Sequence, residues 1–250
     1  MTSSVVQHLY TELVPLLLNV HHPLDLKEKL SVLTVAAGLR RIAMVNAWSD
    51  VPGQHVWQRL IFACRASKLR ARILDSPLVR LTGVAIPEEF KLAAIEVRRQ
   101  GNERQIWIYQ TDEDERRIAN LFRYEVTIGE LLEYPSCCRD EHERIQSEVT
   151  RLSHEALFGE YRPKNPAAFR ELLLQDAPFN CPQLGEIFNR TGDKIRRYPF
   201  IFHTPCDRCL LGENQVSANL NRTYRQLAEE IDPTLAEGIE EIRRSREDQS

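Results

Sequence analysis

The chain has 250 residues, of which 33 are basic and 36 acidic, and a formal net charge of -3 at pH 7. A chain of this length can bury a full hydrophobic core, as one large domain or two small ones, without needing disulfides to fold. The balanced charge excludes a strongly basic protein, so the composition gives no indication of a nucleic-acid partner.

The N-terminal residues lack the basic stretch, long apolar run and small-residue cleavage site of a secretory signal. The longest apolar stretch, residues 13–20, contains Pro15 and Asn19 and is shorter than the roughly 18 apolar residues that span a membrane. The sequence therefore predicts a cytoplasmic protein with no membrane role. In a reducing compartment, paired cysteines indicate metal binding or redox chemistry before structural disulfides.

Residues 5 to about 90 carry apolar residues at the three-to-four spacing of amphipathic helices, and Asp25 is the expected N-cap of one of them. This pattern predicts a helical N-terminal unit over residues 1–90. Trp57, Leu60 and Cys64 fall on one helical face. We therefore expect Cys64 to be a small buried apolar residue and not a ligand.

Between residues 92 and 110 the sequence becomes rich in Ile, Val, Trp and Tyr. Two short segments, residues 93–98 and 105–110, flank a turn at residues 100–103, and this arrangement predicts a β-hairpin. The expected fold class is therefore mainly α with a small β-hairpin or short sheet (α+β). Residues 91–250 are predicted to form an α+β metal-binding unit, with a single continuous domain as the alternative.

The first chemical motif is the adjacent pair Cys137 and Cys138, which follows Pro135 and precedes a long helical pattern. The proline marks a helix start, so both cysteines are expected in the first turn of that helix. Unpaired backbone N–H groups and the positive end of the helix dipole favour thiolates there. The thiolate is the state in which cysteine binds a metal.

The second motif is a Cys-x-x-Cys formed by Cys206 and Cys209, after Pro205 and an apolar run that includes His203. Such a turn curves two sulfur atoms around one ion, as in zinc knuckles and cluster loops. A thioredoxin-type redox pair is the rival interpretation. That motif normally opens a helix after a strand in a doubly wound domain, whereas the surrounding sequence here is mainly helical.

The two pairs together predict one metal centre with four thiolate ligands, Cys137, Cys138, Cys206 and Cys209. Four thiolates suffice for a tetrahedral zinc ion or for a 4Fe-4S cluster. Directly adjacent cysteines are awkward for the regular zinc knuckle, so the spacing favours the cluster. The alternative is that the adjacent pair arose by chance and the Cys-x-x-Cys is a separate redox pair or zinc knuckle.

Two families carry similar motifs. An adjacent cysteine pair with a Cys-x-x-Cys is similar to the cluster-ligand arrangement of the cobalamin-independent epoxyqueuosine reductases, over these four residues only. Residues 128–138, 200–209 and 217–224 resemble the prokaryotic domain-of-unknown-function family numbered 483, whose Gly-Tyr-Pro-x-Cys-Cys form has glycine where this chain has Glu133. This second resemblance covers about the C-terminal half and implies a shared site without naming a reaction.

Cys181 and His203 are the candidates for catalysis beside the centre. Cys181 lies between sequence breakers and is either a sulfur carrier or substitute ligand, or a half-exposed loop cysteine. His203, and also His142 one turn after Cys138, can be a ligand, a proton donor or a group that hydrogen-bonds to sulfur. A structural role is the alternative for both histidines.

Four arginines lie near the cysteines in the sequence. They predict either a positive shell around an anionic centre and its substrate or ordinary surface charge. They are Arg139, Arg196, Arg197 and Arg208.

The leading functional hypothesis is a cytoplasmic 4Fe-4S enzyme, an iron-sulfur-dependent oxidoreductase or sulfurtransferase. It would carry out a reductive or sulfur-transfer step on a small-molecule substrate, and the nearby arginines are compatible with an anionic one. The first alternative is a zinc-stabilised structural or regulatory interaction protein. The second is a metal-free dithiol redox protein. The sequence leaves the substrate and the oligomeric state open.

Overall fold

The computed structural model describes residues 12–19, 24–48, 54–75, 84–100, 103–121, 126–175 and 181–247. The first half alternates helices with three short strands. In chain order these are α1 (Leu13–Leu18), α2 (Leu26–Ala36), β1 (Ile42–Trp48), α3 (Gln54–Ala66), β2 (Arg70–Asp75), α4 (Glu88–Gln100), β3 (Glu103–Tyr109), α5 (Asp112–Leu121) and α6 (Ile128–Leu131).

The described part of the second half is helical. Its elements are α7 (Ser136–His154), a π-helix (Glu155–Tyr161) that continues it, α8 (Pro166–Gln175), α9 (Pro182–Arg196), the one-turn α10 (Asp207–Leu210), α11 (Val216–Ile231) and α12 (Pro233–Glu247). The expected α+β class, mainly helical with a short sheet, is confirmed, and the cysteine motifs lie in the C-terminal half. None of the helices in the described ranges has the length and apolar character needed to cross a bilayer.

The sheet is antiparallel, with β3 between β1 and β2. Ile108 is paired with Ala43 on one side and Ala71 on the other, and Ile106 is paired with Val45. Because side chains alternate along a strand, these residues share one face of the sheet. They belong to the largest hydrophobic core of the protein.

That core joins helices from the N-terminal and C-terminal parts of the described chain. Helices α2 and α3 contribute Leu30, Leu33 and Leu60, and the C-terminal helices α11 and α12 contribute Leu227 and Leu235. Burial of these large apolar side chains is the main stabilising term for such a core. The C-terminal helices are therefore fixed against the N-terminal ones.

The opposite face of the sheet packs against the helices that lead to the first cysteine motif. Trp107 and Tyr109 of β3 pack with Ile118 of α5 and with Leu131 and Leu132 at the end of α6. Helix α6 begins with a capping box between Thr127 and Glu130. The short turn that follows α6 leads directly into α7, so the start of α7 is held close to α6.

A smaller core lies between α4, the π-helix and α8. The Phe90 ring centroid is 5.9 Å from that of Phe158 and 4.9 Å from that of Phe169. Aromatic pairs at these separations interact favourably beyond the area they bury. This second cluster fixes the far end of the long α7 helix.

The predicted β-hairpin is wrong in its first strand. Residues 93–98 lie inside α4 and only the second segment, residues 105–109, is in a strand, β3. Phe90, Ala94 and Val97 are spaced by three and four residues and pack into the core with α8, which is helical periodicity. Residues 101–102 of the predicted turn lie outside the described residues.

The helical description of residues 1–90 is incomplete. Strands β1 and β2 lie within residues 1–90, and both pair with β3, which lies in the second predicted unit, residues 91–250. The two predicted units therefore share a sheet. Asp25 caps α2 as expected, with its side chain 2.7 Å from the Glu28 amide. Residues 1–11 of the predicted unit lie outside the described residues.

Candidate metal centre

The sulfur atoms of Cys137, Cys138, Cys206 and Cys209 all lie within 4.8 Å of one another. The Cys137 and Cys138 Sγ atoms are 3.8 Å apart, and each lies 3.7 Å from the Cys209 Sγ atom. All four are free thiols. The two motifs, separated by about 70 residues of sequence, therefore form one cluster that can hold a metal ion.

The adjacent cysteines owe their placement to the start of α7. Pro135 precedes the helix, and its carbonyl oxygen accepts the Cys138 amide at 2.8 Å. Cys137 and Cys138 occupy the second and third positions of the helix, in its first turn as expected. The turn before the helix is closed by a hydrogen bond from the Tyr134 amide to the Gly129 carbonyl, 2.8 Å long.

The Cys-x-x-Cys motif curves around a single helical turn. Cys206 is the N-cap of α10, and its carbonyl oxygen accepts the Leu210 amide at 3.1 Å. Gly212 has a positive φ of 80°, a conformation that costs glycine little, and its amide donates to the Cys209 carbonyl at 3.3 Å. This tight reversal brings Cys206 and Cys209 to the same side.

Three polar groups lie against the sulfur atoms. The Cys206 amide donates to the Cys138 Sγ at 3.4 Å, and the Asn214 Nδ2 donates to the Cys137 Sγ at 3.1 Å. The Ser217 hydroxyl is 3.6 Å from the Cys138 Sγ. Donors of this kind stabilise negative charge on sulfur and orient the ligands of a metal.

Burial opposes ionisation of the adjacent cysteines. It raises the pKa of Cys137 to about 11 and also raises the pKa of Cys138. The expected effect of the helix start is therefore outweighed at these two thiols. Burial acts in the same direction on Cys209, but hydrogen bonds with Ser217, Cys137 and Cys138 outweigh it and lower the pKa of that thiol. A bound cation would favour the thiolate at all of these positions.

His203 reaches the cluster through Ser217. Its Nε2 lies 3.1 Å from the Ser217 Oγ, which in turn contacts Cys138. Burial, with the positive charges of Arg40 and Lys27, lowers the pKa of His203 to about 4. The imidazole is therefore neutral at pH 7.

The other candidates are not members of the group of four cysteines. Cys181 is a half-buried residue at the N-cap of α9 and is not a member of the cluster. Cys64 is buried in the main core, as predicted, and burial raises its pKa to about 12. His142 is half-buried on α7, with its ring centroid 5.5 Å from that of Tyr134 in an edge-on contact.

The arginines near the cysteines pair mainly with carboxylates. Arg139 lies 3.1 Å from Glu130, and Arg208 lies 3.8 Å from Glu213. Arg196 forms an ion pair with Asp193. These pairs neutralise most of the positive shell that the sequence suggested.

Lys194 of α9 forms ion pairs with residues on both sides of the cysteine cluster. Its Nζ donates to Glu141 of α7 at 2.6 Å and to Asp207 of α10 at 2.7 Å. It thereby joins the two helices that carry the four cysteines. Sequence reasoning missed this contact, and it also missed the contacts of Asn214 and Ser217 with sulfur. The only feature of the sequence that could have indicated Asn214 and Ser217 is their position a few residues after Cys209.

Comparison with protein-family models, with the curated proteins and with the solved structures gave no match for this chain.

Proposed function

We propose that the protein is a zinc-binding protein in which one ion, held by Cys137, Cys138, Cys206 and Cys209, is a structural element of the C-terminal half. The observation that carries this proposal is the spacing of the sulfur atoms, 3.7 to 3.8 Å in three pairs. Zinc–thiolate bonds of about 2.3 Å in a tetrahedron place the sulfur atoms about 3.8 Å apart.

The surroundings of the cluster support a structural role. Cys138, Cys206 and Cys209 are buried and Cys137 is half-buried. Four thiolates complete the tetrahedral shell of zinc and leave no position for a substrate or a reactive water, which catalytic zinc sites keep open. The ion would then join the start of α7 to the loop between α9 and α11.

A 4Fe-4S cluster is the second candidate. It is supported by the adjacent cysteine pair, which resembles the ligand pattern of the cobalamin-independent epoxyqueuosine reductases. The sulfur spacing favours a single ion over such a cluster, because each thiolate of a cluster binds a different iron and the ligands are spread around a larger body. An oxidoreductase or sulfurtransferase activity, with Cys181 and His203 as catalytic residues, depends on this candidate.

The resemblance to the domain-of-unknown-function family numbered 483 is compatible with either metal. Glu133 occupies the position at which that family has glycine, and its φ is 57°. Glycine adopts this left-handed region more readily than any other residue. The backbone at Glu133 is therefore one that a glycine-containing relative could share, which supports the resemblance.

Metal analysis of the purified protein tests the proposal. Protein prepared without oxygen is expected to be colourless and to contain one zinc per chain. Replacement of zinc by Co²⁺ should give the absorption of tetrahedral cobalt thiolate. Brown protein with iron and acid-labile sulfide would replace the zinc proposal with the cluster, and folded protein without metal would leave the dithiol alternative.

Matched cysteine variants identify the ligands. Cys138→Ser and Cys209→Ser are expected to lower the zinc content or to weaken zinc affinity strongly. Cys181→Ser removes a half-buried thiol outside the cluster, so its zinc content should equal that of the unmodified protein. Equal zinc content in all three variants would contradict the proposed ligand set.

A further inference from the structure

The segment that contains α3 is strongly basic. Residues 54–74, which comprise α3 and most of β2, contain five basic side chains and no aspartate or glutamate. The whole chain has a net charge of -3, so this segment is a basic region of an otherwise acidic protein. The balanced composition of the whole chain conceals this local excess of positive charge.

The buried side of α3 fixes the direction of its exposed side chains. Leu60 and Cys64, four residues apart, are buried in the main core. Arg59, Phe62 and Arg65 recur every three residues on the other side of the helix, and all three are exposed. Positions three residues apart on a helix have Cβ atoms about 5 to 6 Å from each other. Phe62 is therefore flanked by the two arginines.

Phe62 places an apolar ring in the middle of this charged surface. Its side chain is 65% exposed, although phenylalanine is among the residues most often buried in proteins. The face of an aromatic ring attracts cations and stacks on other flat π-systems. An exposed ring between two guanidinium groups is thus able to bind a flat group that carries negative charge on either side.

The cations around Phe62 are available to a partner. Lys68 follows α3 in an exposed turn, where its amide donates to the Arg65 carbonyl at 3.0 Å. Within the described ranges, Arg59, Arg65 and Lys68 form no ion pair, whereas the two arginines of β2 pair with carboxylates of α5. We call Arg59, Phe62, Arg65 and Lys68 the basic face.

The chemistry of the basic face matches a phosphodiester chain with unpaired bases. Guanidinium groups bind phosphate oxygens in a planar, two-pronged geometry, and exposed aromatic side chains stack on nucleic-acid bases. Only a single strand offers the faces of its bases for such stacking. A membrane surface requires a larger apolar area than one ring, and an acidic peptide would bind the cations without stacking on the ring.

We propose that the basic face binds single-stranded nucleic acid, with the Phe62 ring stacked on a base and the three cations against the phosphates on either side. Arg59 and Arg65 are about 9 Å apart along the helix axis, so the site contacts a short run of nucleotides. None of the four cysteines of the metal centre lies on α3. The proposal therefore stands apart from which metal the cysteines hold.

Fluorescence anisotropy with the metal-loaded full chain tests the proposal. The probes are fluorescein-labelled oligouridylate and oligothymidylate of about 12 nucleotides, within the usual site size of single-strand binding proteins. We expect saturable binding at about 50 mM salt that weakens as salt is added. The logarithm of the association constant should fall with the logarithm of the salt concentration with a slope of about -2, since each phosphate neutralised on a single strand contributes about -0.7.

Matched variants separate stacking from charge. Phe62→Ala should weaken binding about tenfold by loss of the stacked base and leave the salt slope unchanged. Phe188→Ala removes a comparably exposed ring from α9 and should bind like the unmodified protein. Arg65→Gln should reduce the size of the salt slope by about 0.7, whereas Lys164→Gln, which removes an exposed charge from the loop before α8, should not.

The proposal is overturned if neither oligonucleotide binds, or if Phe62→Ala and Phe188→Ala bind them equally well. Polyglutamate and phosphatidylserine vesicles serve as competitors. If either one binds more tightly than the oligonucleotides and loses affinity in Arg65→Gln, the partner is an acidic protein or a membrane instead. Circular dichroism establishes that each variant is folded, which is expected because all four side chains are exposed.

Discussion

Glu133 has an unusual backbone conformation in the turn that leads to the first two cysteines of the cluster. Its φ of 57° lies in the left-handed region, and two residues later Pro135 precedes the helix that carries Cys137 and Cys138. Non-glycine residues reach this region at a cost of about 1 kcal/mol or more. The hydrogen bond from the Arg41 amide to the Glu133 carboxylate, 3.0 Å long, helps to hold the turn.

A pair of substitutions isolates the backbone effect at this position. Glu133→Val and Glu133→Gly both remove the carboxylate, but only valine is β-branched and strained at a positive φ. We expect Glu133→Val to be less stable than Glu133→Gly by about 1 kcal/mol. Urea unfolding at pH 7 measures the difference. Equal stability of the two variants would show that the left-handed turn is not under strain.

At the scale of elements, an ion pair between Lys194 of α9 and Glu141 of α7 lies next to the cysteine cluster. Lys194 also pairs with Asp207 of α10. Glu141 accepts from Arg144 at 2.9 Å and from Lys194 at 2.6 Å. The Arg144 hydrogen bonds, with a further contribution from Lys194, lower the pKa of Glu141 to about 2. The charged carboxylate is therefore favoured in the folded protein over the unfolded chain.

The pH dependence of this contact follows from the direction of the shift. A carboxyl group with a lowered pKa contributes stability above its ordinary pKa near 4.5, and the contribution is lost as the pH falls toward 2. We expect Glu141→Gln to be less stable than the unmodified protein at pH 7 by about 1 to 3 kcal/mol. The difference should shrink between pH 4.5 and pH 2.

Denaturant unfolding of the unmodified protein and of Glu141→Gln, at a series of pH values, measures the difference in their free energies of unfolding. The proteins are compared at equal metal content, so that release of the metal in acid affects both alike. A difference that stays constant across the acid range would mean that the Glu141 carboxylate is not stabilised by its partners.

At the scale of the whole molecule, the cysteine cluster and the main core are separate. The core contains one face of the sheet and parts of α2, α3, α11 and α12, whereas the four cysteines form a cluster of their own. Phe200, which precedes the second motif, belongs to the core. The core therefore fixes the chain before Cys206 on one side. A metal held by the cysteines would fix the Cys206–Cys209 segment on the other side.

If the cysteines hold a metal as proposed, its removal is expected to increase local opening around the cysteines and to leave the sheet unchanged. Chelation should increase amide hydrogen exchange in residues 136–142 and 203–217, where the ion would join α7 to the loop. Residues 103–109 of β3, paired on both sides, should keep their protection, because local openings in a protein follow its cooperative units. Mass spectrometry with proteolysis resolves these segments. A uniform increase across the chain would contradict the separation.

The sequence by itself determined which four cysteines could form the centre and that Cys137 and Cys138 would start a helix. An adjacent cysteine pair after Pro135 and a Cys-x-x-Cys are local patterns, and so is the Asp25 cap of α2, whose hydrogen bond spans three residues. Local patterns of this kind are set by helix geometry and turn chemistry, which need no distant partner. The burial of Cys64 followed from helical periodicity in the same way.

Only the tertiary structure decided the sheet and the details of the site. Strands β1 and β2 form by pairing with β3, at least 28 residues away for β2, and burial of both sheet faces obscures the alternation that marks a strand. The sulfur spacing of 3.7 to 3.8 Å and the contacts of Ser217 likewise depend on segments brought together by the fold. A sequence records such residues but not the distances between them, because those distances arise from packing of distant elements.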